Sequence, residues 1–165
     1  MTAPIVIQNY NPLWPTQFET LRSRLATALD SLAAAIEHIG STAVPGPAAK
    51  PVIDIDVLLR SSADFASAAA QLRALGYDHQ GDLGVAGREA FRPPATDIPH
   101  HLYVHSPGSR EFARHIAFRD HLRCHPETAD AYARLKRNLA AKFAADRETY
   151  TQAKSGFIEA ALQKL

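Results

Sequence analysis

The chain of 165 residues carries 18 lysines and arginines against 17 aspartates and glutamates, a formal charge of +1 at pH 7, with 8 histidines and 1 cysteine. Such a length fits one domain on the usual prior of roughly 100 to 200 residues, and it buries about 70% of its unfolded surface without a disulfide or metal staple. The lone Cys124 excludes an internal disulfide framework, the balanced charge argues against a broad nucleic-acid footprint, and no apolar run approaches the roughly 20 residues needed to cross a bilayer.

From Met1 to Gln8 no basic stretch precedes an apolar one, so no leader is expected, and a reducing, cytoplasmic setting is. Ile5, Val6 and Ile7 form a short β-branched run. Asn11, Pro12 and Pro15 then break it and open a helix whose apolar face is Phe18, Leu21, Leu25 and Leu29. Ala34 to Ile39 reads as a strand leading into a Gly40-Ser41 turn. Pro51 to Leu59, PVIDIDVLL, reads as a central strand with aspartates at alternate positions. Ser62 is placed to cap a helix from Ala63 to Leu75, which Gly76 ends.

Between Tyr77 and Pro99, glycines and prolines cut the chain into short strands, one of them Glu89 to Arg92, and His101 to His105 follows as another. From Ser109 the period becomes helical. Phe112, Ile116 and Leu122 mark one helix, Pro126 opens a second with Tyr132, Leu135, Leu139 and Phe143, and Tyr150, Phe157, Ile158 and Leu162 support a third. The order predicts an α/β (α+β) fold in a single domain over 1–165, with a core over about 1–107 and a helical part over 108–165.

The chemistry concentrates between Ile36 and Val57. On a strand, Asp54 and Asp56 point to one face with Cα atoms roughly 6 to 7 Å apart. Two like charges on an otherwise apolar strand cost several kcal/mol unless a cation or hydrogen-bond donors compensate them. Mg²⁺ suits the role, being hard, oxygen-seeking and commonly held by one or two carboxylates plus phosphate oxygens. The alternative is that one aspartate pairs with Lys50 or Arg88 while the other faces solvent. Gly40 and Ser41 are placed to offer backbone N–H groups and a hydroxyl to a phosphate.

Ile39, Gly40 and Ser41 followed by Asp54, Ile55 and Asp56 resemble the signature of the polymerase-β-like nucleotidyltransferase superfamily. The longer strings IEHIGSTAVPG, AKPVIDI, LGY, HHLYVH and AFRDHLR, with Tyr132, Lys136, Tyr150 and Lys154, are similar to the GrpB family. This resemblance runs from Tyr10-Asn11-Pro12-Leu13-Trp14 to the last helix. It implies a nucleotidyltransferase-like mixed β-sheet core flanked by helices, in a family whose members also occur fused to dephospho-coenzyme A kinase. A nucleoside triphosphate, a small acceptor and a functional link to coenzyme A biosynthesis are the partners it implies. Asp54, Asp56 and His101 become the catalytic candidates, the first two as metal ligands. His38, Gly40, Ser41, Thr42, Lys50, Arg88, Arg119, Arg123, Lys136 and Lys154 become the substrate-binding ones.

Transferases of that superfamily usually place a third carboxylate on a later strand to help activate the attacking hydroxyl. The matching strand, HLYVH, offers His101, Tyr103 and His105 but no acid. Three alternatives follow. A histidine acts as base or ligand, Glu37, Asp97 or Asp120 fills the place from elsewhere, or transfer is lost and the chain is a nucleotide- or anion-binding module. His101 and His105 share a strand face about 13 Å apart, so that pair alone makes no zinc site. Among the histidines, His38 stands nearest the phosphate turn. Arg119 and Arg123, at i and i+4 on a helix, are placed either to grip a triphosphate or to form surface ion pairs. Trp14 is expected in the core.

Overall fold

Pro15 presets the first turn of α1 (Trp14–Leu29), and its Trp14, Phe18, Leu21, Leu25 and Leu29 recur at helical spacing and are all buried in the computed structural model, which describes residues 4–95 and 97–165. Each such side chain contributes about 1.5 to 3 kcal/mol of burial free energy. Met1 to Ala3, where the leader reading begins, lie outside the described residues. The strands that follow are β1 (Ala33–Ile39), β2 (Ile53–Leu59), β3 (Asp78–Gly81), β4 (Arg88–Arg92) and β5 (His100–His105), with α2 (Phe65–Ala74) between β2 and β3. Three helices complete the chain: α3 (Arg110–Cys124), α4 (Pro126–Lys142) and α5 (Arg147–Leu162).

The five strands form one mixed sheet in the order β1-β2-β5-β4-β3, in which β2 and β5 run parallel and the other neighbours antiparallel. Strand alternation splits β2 between two environments. Ile53, Ile55, Val57 and Leu59 enter the main core with α1, α2, Leu102 and Val104, whereas Asp54 and Asp56 face the other way. The register sets Asp54 beside His101 and Asp56 beside Tyr103 on β5, and Glu37 of β1 beside Asp56. Helices α3 to α5 cover this polar face, packing through Val44, Leu122, Tyr132 and Phe157 in one cluster and Ile5, Ala140 and Tyr150 in another.

The Ile5–Ile7 segment joins the fold through an isolated bridge between Gln8 and Ala49, and Ile5 packs against α4 and α5. One local expectation is corrected. Ser61 rather than Ser62 is the cap, its Oγ accepting from Ala63 N at 3.2 Å, so a short 3₁₀ turn over Ser62–Asp64 comes first and α2 starts at Phe65. Ser109 Oγ accepts from Phe112 N and fixes the start of α3, and Pro126 opens α4. Trp14 is in the core, 1% exposed. Among the described residues, no helix is long and apolar enough to cross a membrane.

Candidate functional site

The turn after β1 is built around Gly40, at φ 72° and ψ −173°, a backbone region open essentially to glycine. A Cβ there would strike Asp54 Oδ2 on the neighbouring strand. Beyond it a 3₁₀ turn over Ser41–Ala43 is held from several sides. His38 Nε2 lies 2.9 Å from Thr42 Oγ1, and its ring stacks on Phe18 with centroids 4.6 Å apart. Arg123 Nε donates to Ala43 O at 2.9 Å, while Arg119 Nη1 donates to His38 O at 3.1 Å and to Glu37 Oε2 at 2.7 Å. Lys136 Nζ donates to Ser41 Oγ at 2.7 Å and to Ala48 O at 3.1 Å, tying α4 to the turn.

In front of the turn lies a cleft of about 280 Å³, where Ser41, Thr42 and Asp54 meet Lys50, Lys136 and Lys154. Lys50 and Lys154 each stand over the Tyr150 ring, 4.4 and 4.5 Å from its centroid, and Lys136 stands 4.7 Å from that of Tyr132. Burial lowers the Lys136 ammonium to about 7, with Lys154 adding repulsion. Burial likewise lowers Lys154 to about 8, with Lys50 adding to the effect. Lys50 is also lowered, first by burial. Three partly desolvated ammonium groups thus stand around one carboxylate in this cleft.

The two aspartates of β2 have different surroundings. Asp54, half-buried, accepts through Oδ1 from His101 Nδ1 at 2.7 Å, and this hydrogen bond raises the exposed His101 above its ordinary value. Asp56 is fully buried. Its Oδ2 lies 2.7 Å from His115 Nδ1 and 3.1 Å from His105 Nε2. Its Oδ1 is buried without a hydrogen-bond partner among the described residues. Burial alone would raise Asp56, but the two imidazoles outweigh it and hold the carboxyl below its usual range.

Of the residues singled out in the sequence, the cleft brings together Ser41, Thr42, Lys50, Asp54, His101, Lys136 and Lys154. The others stand elsewhere. Gly40 contributes its backbone conformation, His38 sits behind the turn, and Arg119 and Arg123 brace it instead of lining the cleft. Arg88 lies over the Tyr103 ring, 4.4 Å from its centroid. The alternative pairing of the aspartates with Lys50 or Arg88 is replaced by pairing with histidines. Among the described residues, none of the three candidate carboxylates is free to take up the third position. Asp97 pairs with Arg24, Asp120 with Arg119, and Glu37, although beside Asp56 in register, is engaged by Arg119. His115 was not singled out in the sequence, and Tyr150, named there only for the resemblance and for α5, lines the cleft. The Glu111/His115 spacing on a helix was the available signal for the first, but it gains meaning only once α3 crosses β2.

The chain is 38% identical over 152 residues to the UPF0157 protein YqkA of Bacillus subtilis (strain 168), covering 92% of this chain and 44% of that protein, so it spans less than half of that relative. It is 28% identical over 189 residues to a dephospho-CoA kinase of Mycolicibacterium paratuberculosis, covering 98% of this chain and 46% of that protein. The crystal structure of the conserved protein GrpB from Enterococcus faecalis matches with a TM-score of 0.84 and 32% identity, over 96% of this chain and 98% of that one. The GrpB protein family model matches residues 4–164. With the sequence matched almost from end to end and the fold shared with a solved relative, the chain belongs to the GrpB family.

Proposed function

We propose that the cleft binds the phosphates of a nucleoside triphosphate together with Mg²⁺ and transfers the nucleotidyl group to a small acceptor. The observation that carries this reading is the convergence of Lys50, Lys136, Lys154 and Ser41 on one cavity with Asp54 at its floor. The lysines and the Ser41 hydroxyl meet the phosphate oxygens. The turn at Gly40 lets the main chain approach Asp54 closely, where any side chain would collide.

Asp54 and Asp56 would hold the cation. Their oxygens form a hard donor set, and the unpartnered buried Oδ1 of Asp56 is the kind of atom a dication satisfies. When bound, Mg²⁺ neutralises charge on the phosphates and on the departing pyrophosphate. His101 is the base of this reading: its Nδ1 is engaged by Asp54, which leaves Nε2 to take the proton of the acceptor hydroxyl. The acceptor oxygen bonds to the α-phosphorus, and the bond from that phosphorus to the bridging oxygen breaks. Pyrophosphate leaves with the electron pair. Positioning in the cleft supplies much of the rate, since such transfers leave little covalent work to the protein.

A second reading, favoured by the lack of a carboxylate on β5, is a module that binds a nucleotide or other polyanion without transferring it. Pyrophosphate release with Mg²⁺ and each nucleoside triphosphate, against an acceptor panel that includes coenzyme A precursors, separates the two. Release that Asp54→Asn abolishes supports transfer. Binding without release assigns the module, and neither binding nor release contradicts both. The similarity to a protein named dephospho-CoA kinase is the reason for including those precursors.

A further inference from the structure

We propose a second, distinct cation site, for a first-row transition dication, formed by Asp56 of β2, His105 of β5 and His115 of α3. Their ligand atoms all lie within 4.8 Å of one another. The set is two imidazole nitrogens and one carboxylate oxygen, which suits Zn²⁺ and its neighbours in the series and not Mg²⁺, whose ligands are oxygens. An ion about 2.1 Å from each donor needs donors roughly 3.3 Å apart. His115 Nδ1 and His105 Nε2 already stand 2.7 and 3.1 Å from Asp56 Oδ2, so these two pairs need to spread by about 0.6 and 0.2 Å.

The surroundings of both histidines point the same way. A metal-bound histidine usually has its other ring nitrogen hydrogen-bonded to an oxygen, which fixes the tautomer and the ring plane. His115 Nε2 lies 3.1 Å from Glu111 Oε1, one helical turn back on α3. His105 Nδ1 lies 3.0 Å from Ser109 Oγ. With Nδ1 so engaged, His105 Nε2 is turned toward Asp56, fully buried, and makes no hydrogen bond among the described residues. A buried ring nitrogen that faces a buried carboxylate oxygen at 3.1 Å with no hydrogen bond between the two is a pairing that a cation held by both satisfies.

The three ligands come from two sheet strands and the first of the C-terminal helices, so the ion staples α3 to the sheet. His115 is the way in, with 21% of its side chain exposed while the other two are at 0%. The site goes beyond nucleotide binding and does not depend on it. The two readings share Asp56 but fail separately, because this site is read through His105 and His115 in the absence of nucleotide.

The test is titration of the full chain, treated with chelator, with Zn²⁺ by calorimetry and with Co²⁺ by visible absorption, in the absence of nucleotide. The expected result is one ion per chain, a higher unfolding temperature, and Co²⁺ ligand-field bands that disappear in His115→Gln. Glu111→Gln, which takes away the negative charge beside His115 Nε2 and weakens the pairing of Glu111 with Arg114, should weaken affinity ten- to a hundredfold and keeps the test valid where His115→Gln does not fold. His121 and His125 stack 4.2 Å apart and are the competing place for an adventitious ion. Binding that survives His115→Gln or Glu111→Gln unchanged but is lost in His121→Gln overturns the proposal, as does the absence of any stoichiometric binding.

Discussion

Gly40 and Asp54 are fitted to each other across the β1–β2 pair: a methyl group on the glycine would fall on the aspartate's Oδ2. Position 40 also demands φ 72° with ψ −173°, a conformation that costs other residues about 1 to 3 kcal/mol. Gly40→Ala is therefore expected to lower unfolding free energy by at least that amount in urea titration. It should also weaken nucleotide affinity tenfold or more, because the displaced carboxylate lies at the floor of the cleft.

Lys136 and Lys154, brought by burial to about 7 and about 8, are partly neutral near physiological pH in the empty cleft. A bound polyphosphate favours their charged forms, so binding takes up protons between about pH 7 and 9, and affinity falls as pH rises through that window. Calorimetry in two buffers of different ionisation enthalpy reads the uptake directly. Lys136→Met should remove part of it and lose affinity by tenfold or more, about 1.4 kcal/mol.

His38 gives a stability prediction with a definite sign. Desolvation lowers it from 6.5 to about 4, so the folded state holds it neutral while the unfolded chain binds a proton below pH 6.5. Its contribution is complete above about pH 6.5 and is lost as pH falls toward 4, for a total of about 3 kcal/mol. Urea unfolding at a series of pH values should show that loss in the wild-type chain. His38→Gln should be less stable at pH 7 but show a shallower decline toward pH 4.

Arg119 braces the turn through His38 O and Glu37. Arg119→Ala should cost about 1 to 3 kcal/mol of stability by leaving a buried carbonyl short of a donor. A phosphate-gripping arginine would behave differently: its removal would lower nucleotide affinity and leave the unfolding curve in place. Running both measurements on one variant distinguishes the roles.

The fold was legible wherever side-chain period and chain geometry agreed. The stripe Phe18, Leu21, Leu25 and Leu29 announces α1, the alternation of PVIDIDVLL announces a strand with a core face and a polar face, and Pro126 marks the start of α4. Strand β3 was not separately visible because DHQG is exposed and polar, and only pairing with β4 makes it a strand. In the site, the turn and the paired aspartates could be read locally, while their partners could not. His101 meets Asp54 because β5 pairs in parallel with β2, a contact spanning 47 positions, and His115 meets Asp56 across 59. Arg119 and Arg123 share a helix face as their spacing implies, but that face meets the back of the turn. Which side of a loop a helix covers is settled by tertiary packing and leaves no local trace.

The central claim is that Asp54 and the lysine-lined cleft bind nucleotide in a manner dependent on a dication. Its most direct measurement is calorimetric titration of the wild-type chain and Asp54→Asn with a non-hydrolysable ATP analogue, each with and without Mg²⁺. Binding at least tenfold tighter with Mg²⁺ in the wild type, and indifferent to Mg²⁺ in Asp54→Asn, is the predicted result. Affinity unchanged by the ion in the wild type, or equally Mg²⁺-dependent in the variant, would contradict it.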